Sequence, residues 1–264
     1  LLSNFNVEVL DLGIAYYTDV IKDPASLIKQ IEDLDNRYSE DNQPTLTSVK
    51  PWVPWTYGEG ENKLMFCWQK FIPQVNDIPK NDVYYDEQVN ISSQLFGALD
   101  STLKHYTTEL YPFAEKNIKS REHTMHLLKY DESGHLPAHQ DQGISSRVLS
   151  VLLYLNDDYE GGEISFVIRP EDLRLEMNGH LRPPDDALDP RTKDMVTFTA
   201  KPKAGSALIF PSTDPYKHQV HIMKEGEKFI TPGFIFVDGY VVGGPGGPSE
   251  EYIKAYHEQN EGSM

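Results

Sequence analysis

Seven short apolar runs follow one another along the second half of the chain, and Gly or Pro separates most of them. Short runs rich in Val, Ile, Leu and Phe that are bounded by turn residues are typical of β-strands. Many such strands in series favour a β-sandwich or a barrel. The runs cover residues 125–130, 148–155, 163–168, 195–199, 206–210, 217–223 and 229–237.

The first half of the chain carries two helical patterns. Asp23 is a favourable N-cap residue, and Pro24 after it suits the first position of a helix. The apolar spacing that follows predicts a helix over 24–38. The same spacing predicts a longer helix from Asp86 to about Thr108, which would support one face of a sheet. We therefore predict a mainly β fold with flanking helices.

Residues 40–63 are polar, contain Pro and Gly, and predict a loop that carries Trp52, Trp55 and Tyr57. These aromatic side chains either pack the loop onto the body of the protein or contact a substrate.

We expect one catalytic domain over residues 1–240, with 1–120 as a helical and β support and 121–240 as the core. The polar segment 169–194 contains the hairpin signal Asn178-Gly179, and we interpret it as an insertion that is either a lid or a surface excursion. Residues 241–264 begin with a Gly-Pro-rich stretch and predict a flexible tail.

Composition excludes several classes of function. The 264 residues carry a formal net charge of −17, which argues against binding to nucleic acid or to an anionic membrane. No stretch has the length of a membrane span. Cys67 is the single cysteine, so no intramolecular disulfide can form, and we expect a cytoplasmic location. Oligomeric state is open.

The triplet His139-Gln140-Asp141 is the strongest chemical signal. On an extended strand the imidazole and the carboxylate point to the same side, because side chains alternate with period 2. A third metal ligand is needed, and His218 is the candidate, with His221 as its rival three residues on. Two His and one carboxylate with open positions are typical of non-haem Fe(II) oxygen chemistry.

A cation ten residues past His218 extends this pattern. Lys228 follows a predicted hairpin turn over 224–227, on a strand that would adjoin the strand of His218. A lysine there could bind the carboxylate of an organic acid held on the metal, because charge-assisted hydrogen bonds are strong in a dry pocket.

The complete set of motifs resembles the Fe(II)- and 2-oxoglutarate-dependent dioxygenases, in particular the prolyl 4-hydroxylase-like branch. The resemblance covers roughly residues 121–238. The motifs, in order, are Tyr130…His139-Gln140-Asp141, Tyr154-Leu155-Asn156…Gly161-Gly162-Glu163, Gly205-Ser206-Ala207-Leu208-Ile209-Phe210-Pro211-Ser212, and His218…Gly226-Glu227-Lys228.

The resemblance implies a double-stranded β-helix, that is, a jelly-roll or cupin-like core. It implies that His139, Asp141 and His218 bind Fe(II), with His218 preferred over His221 because of the ten-residue step to Lys228. It further implies that Lys228 and Tyr130 bind the distal carboxylate of 2-oxoglutarate.

Two candidates remain for contact with the substrate. Arg147 matches an arginine common in the branch, and Tyr154 either packs in the core or lines the pocket. Two positions depart from relatives that act on prolyl peptides: Leu136 replaces an aromatic residue, and Phe234 replaces a tryptophan.

The resemblance implies a dioxygenase that uses Fe(II), 2-oxoglutarate and O2, with ascorbate as an accompanying reductant, and releases succinate and CO2. The hydroxylated group is either a prolyl residue of a peptide or protein, or a free amino acid or other small metabolite. A non-catalytic metal-binding jelly roll is the third interpretation. The pair Tyr130 and Lys228 speaks against it, because a purely structural site has no use for an acid anchor.

Overall fold

Two antiparallel sheets face each other across an apolar layer, and two helices cover the outer face of the larger sheet. The structure is a computed structural model. It describes residues 5–11, 13–40, 52–57, 64–112, 118, 120–122, 124–141, 147–167, 196–212 and 216–236.

Each of the seven predicted runs corresponds to a strand, and the described residues form eight further strands. In chain order they are β1 (Asn6–Asp11), β2 (Ile14–Thr18), β3 (Val53–Tyr57), β4 (Leu64–Pro73), β5 (Ser120–Arg121), β6 (Thr124–Tyr130), β7 (Leu136–His139), β8 (Arg147–Tyr154), β9 (Glu160–Gly161), β10 (Ile164–Val167), β11 (Val196–Ala200), β12 (Ser206–Pro211), β13 (Lys217–Val220), β14 (Met223–Glu225) and β15 (Lys228–Phe236).

The large sheet has the strand order β1-β2-β12-β8-β15-β6-β4-β3, and β5 also pairs with β15. The small sheet has the order β11-β10-β13-β7, and β14 pairs with β9 in a separate ribbon. Every neighbouring pair is antiparallel. β1 and β2 follow each other in the chain, as do β3 and β4 and, among the described strands, β10 and β11, whereas the other neighbours lie further apart along it. This arrangement confirms the predicted mainly β fold with a jelly-roll core.

Helices α1 (Pro24–Glu40) and α2 (Tyr85–His105) agree with the two predicted helices. The Asp23 carboxylate accepts a hydrogen bond from the Ser26 amide at 3.0 Å and so caps α1 as expected. A π-helical turn, Tyr106–Leu110, continues α2. None of the helices in the described ranges is both long and apolar enough to cross a membrane.

Each helix buries one apolar stripe against the outer face of the large sheet. In α1 the stripe is Leu27, Ile31 and Leu34, and in α2 it is Ile91, Leu95 and Leu99. Burying a side chain of this size contributes about 1.5–3 kcal/mol, so these contacts stabilise the sheet from outside. The inner face of the large sheet packs against the small sheet in a second apolar cluster.

The predicted loop over 40–63 was wrong in one part. Residues 53–57 form β3, which pairs with the unpredicted strand β4 at the edge of the large sheet. Pro54 and the surrounding polar residues favoured a loop, but an edge strand tolerates proline because one side of its backbone needs no partner. Trp52 lies 6.2 Å from the Phe229 ring, so it packs onto the body of the protein.

The predicted insertion over 169–194 and the predicted tail over 241–264 lie outside the described residues. The division into 1–120 and 121–240 stays a prediction. Strands from both parts nevertheless share one sheet, since β2 pairs with β12 and β4 pairs with β6.

Gly205 joins the start of α1 to the jelly roll. Its carbonyl oxygen accepts hydrogen bonds from the amides of Val20 and Ile21 at 2.9 and 3.1 Å. Its own amide donates to the backbone carbonyl oxygen of Tyr154. Its φ is +73°, and a Cβ atom there would lie 2.5 Å from the carbonyl oxygen of Ile21. Only glycine fits this turn without strain.

Replacing Gly205 with alanine should therefore destabilise the fold by roughly 1–3 kcal/mol, because both the positive φ and the clash are unfavourable. Urea unfolding followed by circular dichroism measures the change. Gly97→Ala on the exposed face of α2 is the matched control, since a Cβ atom there has nothing within 4 Å. We expect that control to stabilise the protein by about 0.5–1 kcal/mol. Equal effects of the two substitutions would contradict this account of Gly205.

Candidate metal centre and acid-binding pocket

Three potential metal ligands converge between the two sheets. His139 at the end of β7 lies opposite His218 on β13 in the ladder of the small sheet. Asp141 follows β7 in a bend. One ligand atom from each side chain lies within 4.8 Å of the other two. The Asp141 carboxylate is 3.3 Å from Nε2 of His139 and 3.6 Å from Nε2 of His218.

Backbone carbonyl groups determine which imidazole nitrogen faces the centre. Nδ1 of His139 lies 2.8 Å from the carbonyl oxygen of Pro137, and Nδ1 of His218 lies 3.3 Å from that of Tyr216. A carbonyl oxygen only accepts, so Nδ1 donates in both rings. Nε2 of each neutral ring is therefore left with a lone pair for a metal ion, as in most histidine metal sites.

Two serines hold the third ligand. Ser150 of β8 donates to Oδ2 of Asp141 at 2.6 Å, and the Ser150 and Ser212 hydroxyls lie 2.7 Å apart. Both serines are fully buried. Sequence reasoning missed them, although a serine inside an apolar run is a signal, because a buried hydroxyl needs a partner.

The charges of the three ligands suit a cation. Burial alone would raise the pKa of Asp141, but His218, His139 and the Ser150 hydrogen bond outweigh it and hold the pKa well below its usual range. Burial lowers the pKa of His218 to about 4 despite the Asp141 carboxylate. At His139 burial also lowers the pKa, but the hydrogen bond and charge of Asp141 prevail and raise it. A metal ion would displace that proton.

Access to the centre is asymmetric. The His218 side chain is 5% exposed and the Asp141 side chain 9%, whereas the His139 side chain is 31% exposed. The Phe210 ring lies 4.8 Å from the His218 ring and closes that side. The cluster is therefore reached from the side of His139.

His221, the rival ligand, lies away from this centre. Its Nδ1 is 3.5 Å from the Glu163 carboxylate, and its Nε2 is 2.5 Å from the Ser165 hydroxyl. The hydrogen bond from His221 lowers the pKa of Glu163 to about 2, against the effect of burial. The odd spacing of His218 and His221 places them on opposite faces of the chain.

A fully buried lysine lies inside the jelly roll at the start of β15. Lys228 is paired with Tyr130 in the ladder, and its Nζ donates to the carbonyl oxygen of Gly162 at 2.6 Å. Burial lowers the pKa of Lys228 to about 7, although the Glu163 carboxylate opposes this. No carboxylate oxygen of the described residues lies within 4 Å of the Lys228 ammonium.

Three tyrosine rings surround this ammonium. Nζ of Lys228 lies 5.4 Å from the ring centroids of Tyr130 and Tyr154 and 5.8 Å from that of Tyr159. The three tyrosine hydroxyls are buried without a conventional hydrogen-bond partner among the described residues. The Cys67 thiol lies beside the Tyr130 hydroxyl. Buried hydroxyls around a buried cation suit the oxygens of a carboxylate.

Two glycines allow this packing. A Cβ atom on Gly162 would overlap Sδ of Met223 and would lie 3.2 Å from Cδ of Lys228. Gly161 has a φ of +75°, and a Cβ atom there would overlap the carbonyl oxygen of Ile222. Side chains at either position would displace the carbonyl group that holds the lysine.

The structure thus places the predicted residues in three locations. His139, Asp141 and His218 form the first. Lys228, Tyr130 and Tyr154 form the second, so Tyr154 lies beside the buried lysine. Arg147 occupies the third location, next to the His-Asp-His cluster: it donates to the backbone carbonyl oxygen of Asp141 at 3.2 Å and to the Glu122 carboxylate at 3.3 Å. Glu122 was not predicted from the sequence. Burial raises the pKa of its carboxyl group to about 7, although the charge of Arg147 lowers it in part.

Comparison with known proteins agrees with this arrangement. Residues 125–236 match the family model of the 2OG-Fe(II) oxygenase superfamily. This part of the chain is a 2OG-Fe(II) oxygenase domain. The superfamily predicted from the sequence is therefore confirmed, and the domain includes both the three converging ligands and Lys228. No curated protein sequence matches the chain.

Solved structures share the fold of the oxygenase domain. A prolyl hydroxylase from Trichoplax adhaerens, in complex with a peptide fragment of the hypoxia inducible factor oxygen degradation domain, has a TM-score of 0.51 at 15% identity. The match covers 86% of this chain and 84% of that one. A Pseudomonas putida prolyl-4-hydroxylase has a TM-score of 0.48 at 16% identity over 86% and 94%. The chain thus shares the fold of the Trichoplax prolyl hydroxylase.

Removing the serine that holds Asp141 should weaken metal binding. Ser150→Ala leaves Oδ2 of Asp141 without its donor, and loss of such an outer contact typically costs about 10- to 100-fold in metal affinity. Titration with Co(II) as an oxygen-stable probe measures the dissociation constant. Ser101→Ala on α2, where the hydroxyl donates only to the Ala98 carbonyl, is the control. Unchanged Co(II) affinity in Ser150→Ala would contradict the role of this hydrogen bond.

Proposed function

We propose that the chain is an Fe(II)- and 2-oxoglutarate-dependent dioxygenase that hydroxylates a C–H bond. One observation carries the proposal: a His-Asp-His cluster and a fully buried lysine without a carboxylate partner among the described residues occupy one oxygenase domain. Two His and one carboxylate suit Fe(II), and the lysine with its tyrosines suits the far end of a dicarboxylate.

The proposed roles follow from the contacts. His139, Asp141 and His218 hold the iron, with Nε2 of both imidazoles directed to it. Lys228, Tyr130 and Tyr154 bind the distal carboxylate of 2-oxoglutarate and so orient its other end. The bound iron and 2-oxoglutarate supply O2 activation, in which the keto acid becomes succinate and CO2 and one oxygen atom enters the substrate. The aromatic rings around His218 exclude water from one side.

A peptide or protein is the first substrate class to test. The support is the shared fold with the Trichoplax prolyl hydroxylase, which was solved with a peptide fragment. Phe234 in place of a tryptophan keeps the alternative open, namely a free amino acid or other small metabolite. A non-catalytic module is disfavoured, because an unneutralised buried ammonium destabilises a fold unless a ligand uses it.

The activity test uses the purified chain with Fe(II), 2-oxoglutarate, O2 and ascorbate, and it measures succinate against panels of prolyl peptides and of free amino acids. Succinate release coupled to a mass gain of one oxygen supports the proposal. Omission of ascorbate shows whether the reductant is needed. Failure of the metal-loaded chain to bind 2-oxoglutarate would refute the proposal.

Two substitutions separate the roles of the two pockets. Asp141→Ala should abolish metal binding and turnover together. Lys228→Ala should raise the KM for 2-oxoglutarate roughly 10- to 100-fold, the usual value of a charge-assisted hydrogen bond, and should change Co(II) affinity little. Lys129→Ala on β6 is the control, because Lys129 pairs with Glu227 outside the pocket. An unchanged KM in Lys228→Ala would contradict the anchor.

Affinity for 2-oxoglutarate should fall as pH rises above about 7. The pKa of Lys228 is about 7, so the lysine is charged below this pH and neutral above it, and only the charged form attracts a carboxylate. Above its pKa the free protein must take up a proton on binding, which weakens the affinity by up to tenfold per pH unit.

Other groups around Lys228 keep their charge across this range. Burial raises the pKa of Tyr130, Tyr154, Tyr159 and Cys67, so these groups stay neutral, whereas the lowered pKa keeps Glu163 ionised. The positive charge of Lys201 also reaches Lys228 and favours its neutral form. Calorimetric titration of the Co(II)-saturated protein from about pH 6 to about pH 9, roughly one unit below to two units above the pKa of Lys228, measures the slope. Lys228→Arg, which stays charged, should give a flat profile. A flat profile in the unsubstituted protein would contradict the assignment.

A further inference from the structure

Asp141 differs from the other two proposed iron ligands in how the backbone holds it. His139 and His218 lie in paired strands, opposite each other in one ladder. Asp141 lies in a bend past the end of β7, so no ladder hydrogen bond determines its position. A metal ligand in that situation needs support from elsewhere, because a displacement of about 1 Å is enough to impair a metal site.

Strand β8 provides two such supports. Ser150 binds the carboxylate of Asp141, as described above. Arg147, three residues earlier on the same strand, binds the backbone: its Nη1 donates to the carbonyl oxygen of Asp141 at 3.2 Å. One contact orients the side chain of the ligand, and the other determines where its backbone lies.

Arg147 is itself held on three sides. Its Nη2 donates to Oε1 of Glu122 at 3.3 Å. Its guanidinium carbon lies 3.8 Å from the centroid of the Phe234 ring. Glu122 is itself held by β15, the strand of Phe234, because its backbone amide donates to the carbonyl oxygen of Phe234 at 3.0 Å. The Arg147 and Glu122 side chains are 23% and 12% exposed, respectively.

The ring of Phe234 is one wall of this cluster. The ladder places Phe234 opposite Ser150 and Phe236 opposite Arg147. A flat ring under a guanidinium group stabilises it by about 0.5–2 kcal/mol and prevents it from swinging away. The remaining buried donor, Nε of Arg147, has no partner among the described residues and less than 1 Å² of exposed surface, so a substrate cannot reach it in this arrangement.

We propose that Arg147 is a positioning residue for the iron ligand Asp141, held in place by Glu122 and Phe234, and that contact with a substrate is not its main role. The proposal rests on the proposed function, because it assigns iron to Asp141. It adds that Glu122, Arg147 and Phe234 act as one unit on the backbone of that ligand.

The first test measures metal binding without turnover. Arg147→Ala should weaken Co(II) binding about 10- to 100-fold, the range expected when an outer contact of a metal ligand is lost. It should also change the visible spectrum of the bound Co(II), because Asp141 would no longer be held at its position. A purely structural role elsewhere in the fold would not alter that spectrum.

Conservative variants keep the test decisive if Arg147→Ala folds poorly. Lysine cannot donate to Asp141 and Glu122 in the same plane or stack on Phe234, so Arg147→Lys should give a smaller but measurable loss of Co(II) affinity. Glu122→Gln keeps an acceptor for Arg147 but removes its charge, and it should give the mildest loss. The order Ala, Lys, Gln in decreasing effect is the expected result.

Arg37→Ala is the matched control. Arg37 also stacks on an aromatic ring, 4.7 Å from the centroid of Tyr84, and pairs with Glu87, but it lies on α1 away from Asp141. Its removal should leave Co(II) affinity and spectrum unchanged. Thermal unfolding of each metal-free variant separates loss of fold from loss of the site.

Two results would overturn the proposal. Co(II) affinity in Arg147→Ala within twofold of the unsubstituted protein shows that Arg147 does not position Asp141. An altered KM for the organic substrate with an unchanged Co(II) spectrum assigns the residue to substrate contact instead. If the unsubstituted protein binds no metal, the proposed function fails first, and this outcome is distinct from either.

Discussion

The antiparallel register between β8 and β15 is the constraint on which both pockets depend. It sets Tyr154 opposite Ile230 at one end and Ser150 opposite Phe234 at the other. Lys228 therefore lies beside the tyrosines, and Phe234 lies beneath Arg147. A slip of one residue would turn Lys228 and Phe234 toward the helices, because side chains alternate between the two faces. The apolar stripes of α1 and α2, which fit only one face of the sheet, exclude that slip.

The interior between the two sheets also contains the amine of Lys228, which the fold does not need for its stability. Moving an ammonium group out of water costs several kcal/mol even after relaxation. For Lys228, one carbonyl group and three aromatic faces offset part of this cost, and no carboxylate completes the compensation within the described residues. A hydrophobic residue would stabilise the jelly roll better. The lysine is therefore best understood as a group whose partner is a ligand.

Sequence reasoning found what periodicity and residue chemistry can show. Residue chemistry grouped His139 with Asp141, but the extended strand predicted for both ends at His139, and Asp141 lies in the bend that follows. Helical spacing located α1 and α2 to within a few residues. It missed β3, because Pro54 and polar neighbours look like a loop when the position of the strand at the sheet edge is unknown, and it also missed β4. It also missed Ser150, Ser212 and Glu122. Their roles arise from contacts between residues 9, 62 and 25 positions apart, which no local pattern encodes.

The ladder contact between His139 and His218 has a consequence for assembly of the centre. Two of the three donors are brought together by backbone pairing alone, so their arrangement is preorganised when the sheet forms. Little conformational entropy remains to be lost at these two residues when a cation enters. Asp141 lies outside the ladder, so its arrangement depends instead on side chains of β8, namely Ser150 and Arg147.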